Sequence, residues 1–166
     1  MRKSLLLSDS KSLIPILALS LLYGVLAVPA APEGADLAIV VNKSTTIDTV
    51  SSADLRALFL GEKTKWPDGK KVTPVQTSAQ SPERALLLKV VYKMSDPVLK
   101  RYYMQAAFTG KDVLPPAEFP TAAALKQFVA RTPGAIGGIL ASDVDNTVTA
   151  LKVDGAAPGE AGYKLR

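Results

Sequence analysis

The chain contains no cysteine and no histidine. Without thiols it can form no disulfide, thiolate nucleophile or zinc-thiolate site, and lipid attachment at a cysteine is excluded. Without imidazole it lacks the usual general base near neutral pH and the commonest metal ligand, which leaves hydrolytic triads without a carrier. Paired carboxylates could substitute, yet no two acidic residues stand at a spacing that places them together. Neither an enzyme nor a cofactor site is therefore expected. Charge of one sign is not concentrated either. The 20 basic and 15 acidic residues give a net charge of +5, and the Lys and Arg residues are dispersed. The stretch "EKTKWPDGKK" is the one local concentration, and Glu62 and Asp68 offset part of it. Nucleic acid is not the expected partner.

Long apolar runs are missing too, with one exception at the start. "MRKSLLLSDSK" carries Arg2, Lys3 and Lys11 and precedes an uncharged run from Ser12 to Ala31. A basic start, a short apolar stretch and small residues in "VPA", Val28 to Ala30, describe a secretory signal peptide, with cleavage expected after Ala30. The alternative is an uncleaved anchor, although the apolar part is short for a bilayer span and contains Pro15. Membrane contact is expected only through this segment. Without residues 1–30 the net charge falls to +3. The remainder has the length of one domain and can bury about two-thirds of its unfolded surface.

Past the leader, "DLAIVVN" (Asp36 to Asn42) is a continuous apolar run, as in a strand covered on both faces. "SSADLRALFLG" reads as a short helix capped by Ser51 or Ser52, with Leu55, Leu58 and Phe59 on one face and Gly61 as its stop. A turn at "WPDGK" leads to the strand "KKVTPVQT". Trp66, in that Pro- and Gly-rich connection, is expected to be at least partly exposed. Ala85, Leu88, Val91 and Tyr92 recur at helical spacing between Ser81 and Tyr92. A second helix starts at Ser95 and draws its buried residues from Val98, Leu99, Tyr102, Tyr103 and Phe108. The loop "TGKDVLPPAEFP" follows, and a third helix presents Leu125, Phe128 and Val129. "GAIGGIL" and "TVTALKVDG" then read as strands. Helices alternating with short strands make an α/β domain, a central sheet flanked by helices, over residues 31–155. The Gly- and Ala-rich end, 156–166, reads as a flexible tail.

One stretch stands out for chemistry. "TSAQSPERALL" (Thr77 to Leu87) sets Ser81 as an N-cap and Pro82 at the first helical position, with Thr77, Ser78 and Arg84 adding hydroxyls and a positive charge. Such a helix start is either simply well capped or an anion site, because its unpaired N–H groups and dipole favour negative charge. Glu83 already places a carboxylate in that first turn.

The ordered set "LAIVVN", "SSADLRALFLGEKTKWPDG", "VTPVQTSAQSPERALLLKVVY", "FTG" and "PGAIGGI" resembles the second lobe of phosphate-type periplasmic substrate-binding proteins of ABC transporters, from about Asp36 to Gly155. The resemblance implies one lobe of a type II periplasmic binding protein, with a mostly parallel sheet, and a periplasmic location. It also implies an oxyanion loop from Val75 to Arg84, with Ser81 and Arg84 matching family positions, and the function expected from it is a module for phosphate or a similar small oxyanion contacted by Thr77, Ser78, Ser81, Arg84 and the N–H groups near Glu83. Two positions depart from the family pattern. Gln76, Thr77 and Ser78 stand where better-studied phosphate binders carry Arg-x-Asp before the serine, which removes the carboxylate that accepts a proton from monohydrogen phosphate. Gly138 replaces a tyrosine that often follows "GAIG". Two functional readings remain open: a binding module for a small oxyanion, and an interaction or regulatory protein that kept the fold and docks on an envelope partner such as a permease, a sensor or a second lobe.

Overall fold

A computed structural model describes residues 35–166 apart from Asp112. The signal peptide expected in residues 1–30 lies outside the described residues. Among the described residues no helix is long and apolar enough to cross a membrane.

The elements run β1 (Leu37–Val41), β2 (Thr49–Val50), α1 (Ser52–Phe59), β3 (Thr73–Thr77), α2 (Pro82–Leu86), a π-helical continuation (Leu87–Tyr92), α3 (Asp96–Phe108), β4 (Ala117–Phe119), α4 (Ala122–Arg131), β5 (Ala135–Leu140), β6 (Thr149–Ala150) and β7 (Lys152–Val153). Five strands form the main sheet in the order β4-β3-β5-β1-β6, and β2 pairs with β7 in a small parallel sheet. β3 runs parallel to β4 and to β5, whereas β1 opposes both β5 and β6. Four of the five strands thus share one direction, and the sheet is mixed but mostly parallel.

The apolar run of β1 is buried throughout, and its alternation divides the core. Leu37, Ile39 and Val41 face a layer made by α1, the π-helical segment and α3, through Leu55, Phe59, Leu87, Tyr92 and Leu99. Ala38 and Val40 face α4 through Leu125 and Val129. β5 can sit beside β1 because its centre is Gly137-Gly138. A Cβ on Gly137 would stand 2.7 Å from a Leu125 methyl, and one on Gly138 would stand 3.3 Å from Leu37. A larger side chain at 138 would press on the Leu37 and Leu87 methyls, which would have to give way. Pro74 is tolerated inside β3 for a similar local reason. Thr73 N–H donates to Gly134 on the β5 side, so position 74 faces β4, whose ladder begins only at Val75.

The helix after β3 differs from a plain amphipathic one. Its second half widens to π-helical turns, and the buried stripe is Glu83, Arg84, Leu87, Val91 and Tyr92, while Ala85 is exposed. The stripe thus starts earlier than expected, and its first members are a glutamate and an arginine. In α3 Leu99 and Ala106 are buried and Tyr102 and Tyr103 half-buried, whereas Val98 (47%) and Phe108 (91%) are exposed. Three residues of the loop before α4 extend alongside β3 as β4, a strand too short and too polar at its centre to show periodicity. The last expected strand breaks at Leu151, its two pieces joining different sheets.

Two placements correct the expectations outright. Trp66 is buried, at 4% exposure, within the larger core cluster. The turn is where composition put it, closed by Trp66 N–H to Lys70 and Gly69 N–H to Trp66 at 2.8 and 2.9 Å. A turn controls only the backbone, and here the indole packs into the core. The tail is also fastened. Tyr163 and Leu165 are buried, Tyr163 Oη donates to the Leu37 carbonyl at 2.6 Å, and Leu37 N–H donates to the Leu165 carbonyl at 2.8 Å. Arg166 pairs with Asp36 at 2.9 Å. Gly and Ala set the backbone's character there, but two apolar side chains at alternate positions supply the burial that holds it. Leu165→Ala should therefore cost about 2–5 kcal/mol in urea unfolding, against less than about 0.5 kcal/mol for exposed Leu114→Ala. A loose tail would make the two substitutions equal.

Candidate functional site

The strand-to-helix junction 77–84 lies where the carboxyl ends of β3 and β4 meet side by side, Thr77 opposite Phe119. From β3 the chain continues into the helices of one sheet face, and from β4 into α4 on the other. Connections that diverge to opposite faces leave a crevice at the strand ends, the usual ligand position in open α/β sheets. Ser78 N–H donates to the Phe119 carbonyl at 2.9 Å, which closes the floor of this junction.

Ser81 caps the helix as expected. Its Oγ accepts the Arg84 N–H at 3.1 Å and donates to Thr77 Oγ1 at 2.6 Å. Its carbonyl takes the Ala85 N–H at 3.2 Å, and its own N–H goes to the Ser78 carbonyl at 3.0 Å. Pro82 has no N–H to offer. The Glu83 N–H has no acceptor among the described residues and is an orphan donor of the helix start, on a residue that is itself buried at 7% exposure. Ser78 and Ser81 are half-buried, whereas Thr77 is buried at the end of β3.

Arg84 is placed differently from a surface anion contact. It is 3% exposed and turned inward. Its guanidinium donates to Gln76 Oε1 and, at 2.9 Å, to Asp96 Oδ1, and lies 5.7 Å from the centre of the Tyr92 ring. Tyr92 Oη donates to the same Gln76 oxygen at 3.0 Å. Asp96 takes Lys100 on its other oxygen at 2.8 Å. The Arg84 Nε is buried with no partner among the described residues. Burial pushes the Tyr92 phenol far above its ordinary range. Lys100 and then Arg84 hold the Asp96 carboxyl below the ordinary carboxylate range.

The junction therefore brings Thr77, Ser78 and Ser81 together at the strand end, with Arg84 one layer behind them. Sequence reasoning missed Gln76, Tyr92 and Asp96 as partners of that arginine. Gln76 is visible only as a departure from the Arg-x-Asp pattern. Asp96 begins the next helix, and nothing in spacing ties it to a residue twelve positions earlier.

No established family profile matches the chain. Solved structures do. An ABC-type phosphate transport receptor from Vibrio cholerae superposes with a TM-score of 0.64 at 22% identity, covering 79% of this chain and 53% of that one. PstS from Borrelia burgdorferi gives 0.60 at 13% identity, with 75% and 49% covered. A phosphate binding protein from Stenotrophomonas maltophilia gives 0.57 at 18% identity, with 77% and 41% covered. The fold is that of one lobe of a phosphate-type binding protein. The chain spans about half the length of the structures it matches.

Within this lobe the Arg84–Asp96 contact ties α2 to α3. Arg84→Ala removes a buried cation from Gln76 and Asp96 and should cost about 2–3 kcal/mol. Asp96 adds a pH signature. Its folded-state value is depressed, so its contribution is present above the ordinary carboxylate value of about 4 and is lost as pH falls through the folded value. Asp96→Asn should be less stable than the parent at pH 7 and converge with it in strongly acidic solution, as read from urea midpoints. A constant difference across that range would remove Asp96 from the titrating set.

Proposed function

We propose that the protein is an exported periplasmic binding module that holds phosphate or another small oxyanion at the β3-to-α2 junction, in the service of an ABC-type phosphate transport system. The contacts are the hydroxyls of Ser81, Ser78 and Thr77 and the Glu83 N–H, with Arg84 acting from behind as a fixed positive charge. The observation that carries this reading is the position of a free helix N–H and two half-buried serines at a crevice formed by diverging strand ends. Binding of this kind requires no catalysis.

The same geometry limits its strength. Arg84 is already paired with Asp96, and Glu83 sets a carboxylate in the helix's first turn. Each exposed dipole or charge contact contributes about 0.3–1 kcal/mol, and one side of the anion stays hydrated. The chain by itself should bind phosphate or sulfate with a dissociation constant on the order of a millimolar, about 4 kcal/mol. Titration at low salt, followed by amide chemical shifts, should move the Ser78, Ser81 and Glu83 signals together. Ser78→Ala should weaken binding alone, while Ser81→Ala should also cost about 1 kcal/mol of stability through the lost cap. Shifts confined to other residues, or none at all, would move the weight to the second reading.

That second reading is an interaction or regulatory protein docking on an envelope partner, such as an ABC permease, a sensor or a second lobe. The engagement of Arg84 by Asp96 favours it, as do the exposed Met104, Phe108 and Leu114 around the end of α3.

A further inference from the structure

A cavity of about 740 Å³ opens between β2, the first turns of α1, the 63–67 turn and Asp154-Gly155, and it shares no lining residue with the 77–84 junction. Its size lies within the range of small-molecule pockets, roughly 300–1,000 Å³. Val50, Leu58 and Trp66 form its apolar wall and belong to the main core, with Ile47 packed against them. The recess is open to solvent, and covering its apolar wall with an apolar group would remove that surface from water. The Trp66 indole N–H in that wall is buried and has no acceptor among the described residues.

The rim decides the ligand's charge. Asp54 takes the Ser51 hydroxyl at 2.9 Å and the Lys63 ammonium. Asp154 takes the Ser52 hydroxyl at 2.5 Å, the Ser52 N–H at 2.9 Å and the Lys164 ammonium at 2.9 Å. Both acids are thus satisfied by the protein's own donors and stay ionised, held below the ordinary carboxylate range by those contacts. Lys65 is exposed, lines the same rim and has no acidic partner among the described residues. We infer that this cavity is a second binding site, for an amphiphilic anion whose apolar body lies against Ile47, Val50, Leu58 and Trp66 and whose carboxylate or sulfonate head meets Lys65.

Trp66 is the only tryptophan, so its emission reports occupancy directly. Titrating the purified protein with decanoate should give a saturable change in that emission, with decylammonium binding more weakly. Lys65→Ala should weaken decanoate by about two- to fivefold, as for an exposed ion pair, and Lys65→Glu should reverse the order of the two ligands. Ile47→Phe, which narrows the recess while keeping it apolar, should weaken both by about tenfold or more, and Phe108→Ser, on the exposed apolar surface of α3, should change neither. An emission response that never saturates, that survives Ile47→Phe, or that disappears in Phe108→Ser overturns the assignment. Equal affinities for the two ligands that Lys65→Glu leaves untouched would do the same for the head group.

Discussion

Burying β1 on both faces requires an apolar layer above and below it, and most of the architecture follows from meeting that demand. One layer comes from α1, the π-helical segment and α3, the other from α4. Neighbouring β5 must then present almost no side chain at its centre, which is why Gly137 and Gly138 stand there. The tail completes the arrangement from the other end, since the Leu37 amide and carbonyl are both taken by residues of the last four positions. A strand sealed this way cannot shift register without exposing one set of its side chains or stranding buried backbone groups. The sheet therefore holds the β3 terminus, and with it the candidate anion site, in a fixed place.

The elements legible in the sequence are those whose burial leaves a periodic trace. β1, α1, α4 and β5 fall where the runs and spacings put them, with Ser51, Ser81 and Thr121 capping their helices. What stayed hidden has particular physical reasons. The inward turn of Arg84 depends on Gln76 and Asp96, partners that only the fold brings near, and an arginine on an apolar stripe reads as solvated until those partners are known. Trp66 sits in a stretch whose composition describes the backbone and says nothing of where an indole lies. Tyr163 and Leu165 bury by docking on β1, a contact with more than a hundred residues of intervening chain. The break at Leu151 reflects two sheets competing for one strand, which alternation along a single segment cannot reveal.

The hydroxyl cluster was legible as chemistry but not as geometry. Ser81 both caps the helix and donates to Thr77, so capping and anion binding are not exclusive at this residue. Its oxygen serves the backbone, while its hydrogen is committed to Thr77 until a stronger acceptor arrives. Exchanging that neutral acceptor for an anionic oxygen is favourable, because hydrogen bonds to charged acceptors are about twice as strong. The exchange also costs little reorganisation, since the hydroxyl needs only to rotate.

Arg84 sets the limit on that gain. Arg84 is bonded to Gln76 and paired with Asp96, so an anion at Ser81 would meet a positive charge already partly compensated by a carboxylate that Lys100 shares. The same ion pair fixes α2 against α3 and so gives the helix start its position. Stability of the junction and strength of the anion field thus draw on one side chain, and the structure favours the first. An opposing surface, supplied by a second lobe or by an envelope protein, would remove water from the exposed side of the crevice and strengthen each remaining contact as the local dielectric falls. Tight recognition at this site therefore depends more on what covers the crevice than on further cationic residues within the lobe.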